Sequence, residues 1–243
     1  MQTYTNLAWP DDPYRASQQM YARPSPMLAA FAVLPAGQAA PTAPAAVAVA
    51  YLPLHRTRLI TVTEETVAFG FRAASTADAR GMSRLAEFAD LDLMQARRHA
   101  RYLAGEGLSA SLRALRAAAP GLAARGLAAV AAGWSDRQAR PRGIATLVDV
   151  GADLGDLAEA SRAADVVNTS ASSLGLAGDS EAAELMAAAA SERALAIALI
   201  CARSLGKYQW ATAISAARIM AATTWDLFPA AMWDDTARSQ SAR

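Results

Sequence analysis

The nine residues Ala194 to Ala202 (ALAIALICA) carry no polar side chain on any face. A helix with such a run has no side to give to water and must be buried all round. This predicts a central helix over about 180–204, with Asp179 and Ser180 placed as caps for its start. The rest of the chain must then surround that helix on every side.

Roughly a quarter of the 243 residues are alanine, the strongest intrinsic helix former. From Thr76 onward, stop signals divide the chain into helices. One is predicted over 78–104, ending at Gly105 and Gly107; a second follows Ser109 and ends before Pro120; a third spans 120–132 with Gly133 beyond it. A fourth is predicted over 142–161, where Ile144, Leu147, Val148, Val150, Leu154 and Leu157 share one arc. On that arc Gly151 and Gly155 lie one turn apart, as for close approach of another helix. A last helix covers 207–225.

Strand character concentrates in Val47–Leu52, Leu59–Thr63 and Thr66–Phe71, rich in β-branched and aromatic residues. The expected fold is therefore mainly α: a multi-helix bundle with a small N-terminal β hairpin or meander and an extended N-terminal arm. The organisation reads as an arm and Pro/Ala linker (1–45), a β element packed on the body (46–75), an Ala-rich bundle (76–235) and a frayed tail (236–243). The apolar stretch 27–54 is interrupted by Pro35, Pro41, Pro44 and Pro53, so it is not a membrane span. With no signal-like N-terminus, a cytoplasmic protein is expected. The Ala-rich, Arg-for-Lys vocabulary suits a bacterial GC-rich coding sequence.

Charge is segregated along the chain. Residues 93–142 carry nine arginines (97, 98, 101, 113, 116, 125, 137, 140, 142) against two acids, a net +7. Residues 143–184 carry eight acids against Arg162, a net −7, and the whole-chain charge of +1 conceals both. Partner-binding candidates are therefore Arg97, Arg98, Arg101, Arg113 and Arg116 on the basic side, with Asp149, Asp153 and Asp156 on the acidic side. The aromatic tail adds Trp225, Phe228 and Trp233, either as a core seal or as a partner anchor.

Catalytic patterns are missing. His55 and His99 are the two histidines, Cys201 is the single cysteine, and no HExxH, nucleophile elbow, P-loop or dinucleotide fingerprint occurs. Asp149-x-x-x-Asp153 has magnesium-like spacing, but a second acidic motif is missing, so no metal and no cofactor is predicted. The favoured reading is a non-enzymatic helical interaction or assembly protein, oligomeric through its basic and acidic faces. The partner would be a second copy or another protein. A rival reading is an enzyme or small-molecule binder with an interhelical pocket lined by Tyr208, Trp210 and Met220. A third is nucleic-acid binding through 97–142, disfavoured by near-neutral overall charge and by arginines without interleaved aromatics.

Overall fold

The computed structural model describes residues 1–7, 25–35, 44–78, 80–136, 144–167, 179–224 and 226–228. In chain order the elements are β1 (Gln2–Thr5), β2 (Ser25–Pro35), β3 (Pro44–Pro53), β4 (Ile60–Thr61), β5 (Gly70–Ser75), α1 (Gly81–His99) and β6 (Ala100–Gly105). They continue with α2 (Leu108–Ala118), α3 (Arg125–Ser135), β7 (Thr146–Asp149), α4 (Val150–Asp153), α5 (Leu157–Ala164) and β8 (Val166–Val167). The last are α6 (Asp179–Ser204), β9 (Tyr208–Gln209), β10 (Ile214–Ser215) and α7 (Ala216–Thr224).

The centre of the molecule is a six-stranded mixed sheet in the order β1-β5-β3-β2-β6-β7. The pairs β1–β5, β5–β3 and β3–β2 are antiparallel, whereas β2–β6 and β6–β7 are parallel. This overturns the mainly α, all-α bundle. The fold is α/β, with helices on both faces of a sheet.

Strand alternation builds both layers. Leu28, Ala30, Ala32 and Leu34 of β2, with Ala46, Ala48 and Ala50 of β3, face a core that α6 fills. Ala29 and Phe31, with Val47, Val49 and Tyr51, face the opposite way into a second core built by α1, α2 and α3. A strand covered on both faces reads as an unbroken apolar run, as 28–34 does. The alanines taken as helix formers here line the sheet under α6, itself alanine-rich, and small side chains on both surfaces permit close approach.

The prolines delimit strands instead of breaking them. Pro35 pairs with Pro44 at one end of the β2–β3 ladder and Pro53 with Met27 at the other, positions where a missing N–H is tolerated. Part of the expected arm is thus sheet: β2 is an inner strand and β1 an edge strand. Residues 8–24 and Pro41 lie outside the described residues.

Three predicted helices are divided. The 78–104 segment is helix only to His99; Ala100 turns to φ −73°, ψ 153° and β6 begins directly. The 142–161 segment splits into β7, α4 and α5. Gly155 sits at φ 92°, a turn conformation that favours glycine, and a Cβ on Gly151 would meet only the Asp149 and Glu106 side chains, at 3.5 and 3.7 Å, so the glycines are not a helix-packing pair. The 207–225 segment becomes β9, β10 and α7. The meander shifts as well: β3 and β5 join the large sheet, while β4 pairs in parallel with β9. The helix expected over 180–204 stands as α6, with Ala194–Ala202 no more than 1% exposed, though it lies on one face of the sheet. It alone among the described helices is long and apolar enough to cross a membrane, and 78% of its most apolar window is buried in this fold.

Candidate functional site

The basic and acidic segments are used differently. The last turn of α1 carries the half-buried Arg97 and the exposed Arg98, and the next strand opens with exposed Arg101, whose guanidinium lies 5.6 Å from the Tyr102 ring centre. All three sit at the end of the sheet where β6 and β7 begin, since the Ala145 N–H donates to the Arg97 carbonyl at 2.7 Å. Arg113 and Arg116 are exposed on α2, and Arg125 is exposed at the start of α3. None of these six arginines forms an ion pair with another described residue. Arg137, Arg140 and Arg142 lie outside the described residues.

The acids are built into the backbone framework. Asp149 is 8% exposed; one carboxylate oxygen accepts from the Gly107 N–H at 3.1 Å and the other from Trp134 Nε1 at 2.9 Å. It thereby ties the β6–α2 turn and the end of α3 to the end of β7. Asp153 accepts from the Asp149 N–H at 3.0 Å, and Asp156 caps α5 by accepting from the Glu159 N–H at 2.7 Å. Asp165 pairs with Arg203 at 3.1 Å, and Glu106, an acid of the basic segment, pairs with Arg193. Asp153, Asp156 and Glu159 stay exposed. They belong to α4 and α5, whose apolar residues Val150, Leu157 and Ala160 pack in the α6-side core. Arg98, Arg113, Arg116 and Arg125 therefore lie on the opposite face of the sheet from Asp153, Asp156 and Glu159, although exposed Arg162 shares α5 with the acids and exposed Glu87 shares α1 with Arg98.

The residues proposed for an interhelical pocket lie in the α6-side core. The Tyr208 hydroxyl donates to the Pro53 carbonyl at 2.7 Å, Trp210 Nε1 donates to the Ala164 carbonyl at 3.0 Å, and Met220 is fully buried. Arg203 lies 4.7 Å from the Trp210 ring centre. Phe228 is 3% exposed and packs on Tyr4 and Phe71, which is core use of that tail residue. Trp225 and Trp233 lie outside the described residues.

One cluster escaped the sequence reading. Asp92 of α1 is 1% exposed; its Oδ1 accepts from Arg72 at 2.7 Å and from the Tyr51 hydroxyl at 3.3 Å, and its Oδ2 has no hydrogen-bond partner. Burial pushes its carboxyl up to about 6, opposed by the Arg72 charge and by the hydrogen bonds from Tyr51 and Arg72. Its periodicity was the available signal, because Leu85, Ala89, Asp92, Leu93 and Ala96 share the buried stripe of α1. With Arg72 lying over the Phe88 ring, the cluster joins α1 to β3 and β5.

Burial, reinforced by the Asp153 charge, pushes the Cys201 thiol up to about 12, which keeps it un-ionised and un-nucleophilic. The exposed His55 accepts at Nδ1 from the Thr57 and Arg58 N–H groups. Among the described residues no group of three or more His, Cys, Asp or Glu is placed to hold a metal ion. A shallow concavity of about 380 Å³ lies beside α2, lined by Arg113, Arg116, Pro120, Leu122 and neighbouring alanines.

No family model, curated protein or solved structure matches the chain.

Proposed function

We propose that this protein acts by docking, as an interaction or assembly protein whose arginine-bearing helical layer meets an acidic partner surface. The observation that carries this reading is the asymmetry of charge use: Asp149, Asp153, Asp156 and Asp165 are hydrogen-bonded or ion-paired within the fold, whereas six exposed or half-exposed arginines of α1, β6, α2 and α3 have no ionic partner among the described residues. A second copy is the favoured partner. With Arg113 and Arg116 on one face of the sheet and Asp156 and Glu159 on the other, a heterologous, head-to-tail contact is favoured over a two-fold one. A cytoplasmic setting belongs to the same reading, with Cys201 a buried thiol and the sole cysteine.

Light scattering on the full chain over a concentration series, in low and high salt, tests the reading. Association is expected in low salt and loss of it in high salt, because exposed ion pairs are screened over a few ångströms at high ionic strength. Replacing Arg98, Arg101, Arg113 and Arg116 together with Glu is expected to abolish it. A native chain that stays monomeric at every salt and concentration overturns self-assembly.

A further inference from the structure

Arg113 and Arg116 stand three residues apart on α2, so their side chains are surface neighbours. They form the polar rim of the 380 Å³ concavity, whose other lining residues are Pro120, Leu122 and alanines, with no acid among them. Nothing within the described fold neutralises either guanidinium; Arg113 Nε reaches the Ser109 carbonyl of its own helix at 3.3 Å. On the far side of the sheet, α5 presents a matching pair. Asp156 and Glu159 are also three residues apart and exposed. The left-handed Gly155 holds them at the helix start, and Glu159 folds back over it, since a Cβ there would meet its carboxylate at 2.6 Å.

We propose that the first turn of α5 in one copy docks on the α2 concavity of the next, Asp156 and Glu159 meeting Arg113 and Arg116. This rests on the assembly reading and adds the contact. Planar guanidinium groups bind carboxylates in bidentate fashion, and the small alanine side chains beside them leave room for acidic side chains. A polyanion such as a nucleic acid fits less well. Its binding needs a basic track along a backbone, whereas this concavity has two arginines among alanines, Pro120 and Leu122.

The test is a double-mutant cycle on the self-association constant of the full chain, measured by sedimentation. One pair is Arg113→Ala with Arg116→Ala. The other is Asp156→Asn with Glu159→Gln, which removes charge while Asn keeps the α5 cap. Each pair is expected to weaken association about tenfold, and the combined variant is expected to lose little more than either alone. Arg98→Ala with Arg101→Ala is the control and is expected to change the constant little. Arg113→Lys with Arg116→Lys keeps charge without bidentate geometry and is expected to fall between native and alanine variants. Additive losses, or equal losses from the control pair, overturn this contact and leave salt-sensitive assembly standing. A native chain that does not self-associate overturns both. Tight binding of a DNA duplex that depends on Arg113 and Arg116, with self-association untouched by their removal, also overturns it.

Discussion

At the scale of single residues, Asp92 makes a pH-dependent contribution of unusual sign. Its carboxyl is raised from 3.8 to about 6 by burial. Between those values the folded chain holds a proton that the unfolded chain has released, so stability falls as pH rises from about 4 to about 6, then levels off. The expected loss across that window is on the order of 3 kcal/mol. Urea titrations at several pH values check it, and Asp92→Asn is expected to flatten the slope; an unchanged slope in that variant assigns the dependence elsewhere. Trp134 gives a second residue-scale outcome. Trp134→Phe keeps an aromatic ring but removes the donor to the buried Asp149 carboxylate. The expected cost is about 1–2 kcal/mol, with melting lowered by roughly 2–4 °C per kcal/mol for a chain of this size. A melt equal to the native one shows that the Gly107 N–H alone satisfies Asp149.

Among the elements, the α1–α3 contact depends on one glycine. A Cβ on Gly126 would lie 2.1 Å from the Asp90 carbonyl oxygen and 2.9 Å from the Met94 N, both backbone atoms that cannot rotate away. Beside it the Asp90 carboxylate accepts from the Leu127 N–H at 2.8 Å, capping α3 from a neighbouring helix where its own N-cap, Ala124, has no side chain able to do so. Gly126→Ala is expected to push the helices apart and cost about 1–3 kcal/mol. Gly121→Ala, where a Cβ meets nothing within 4 Å, is expected to be neutral within about 0.5 kcal/mol. Equal chemical denaturation midpoints for the two variants would refute the close-approach argument. The same scale explains the split helices. Residues 96–104 keep helical spacing and composition, yet Ala100–Gly105 pairs with β2 and β7 on its two sides. Hydrogen bonds to two neighbouring strands outweigh an alanine's preference for helix, which amounts to less than about 1 kcal/mol per residue.

Across the whole molecule, the sheet separates the exposed arginines of α2 and α3 from the exposed acids of α4 and α5. The crossovers β5–α1–β6 and β6–α2–α3–β7 place the arginine-bearing helices on one face, and α4, α5 and α6 pack on the other. A linear charge boundary near residue 143 thus puts Arg113 and Arg116 on one face of the sheet and Asp156 and Glu159 on the other, and this arrangement carries the assembly reading. The partner candidates chosen from the sequence lie on both layers, and only the fold separates Asp149, which braces three elements, from the exposed Asp153 and Asp156.

By itself the sequence determined what was local or one-dimensional: the wholly apolar run Ala194–Ala202, whose helix had to be buried all round, the α2 and α6 spans to within a residue or two, and the charge boundary. The tertiary structure alone decided that the core is a sheet. Alanine is small enough to line a strand under a close helix and favourable enough to propagate a helix, so its abundance does not choose between them. Burial of β2 and β3 on both faces erased the alternation that marks a strand, and prolines at their ends looked like breaks in a single apolar run. Pairing between strands as distant in sequence as β2 and β6 supplied the hydrogen bonds that made the choice, and no window of the sequence contains both partners.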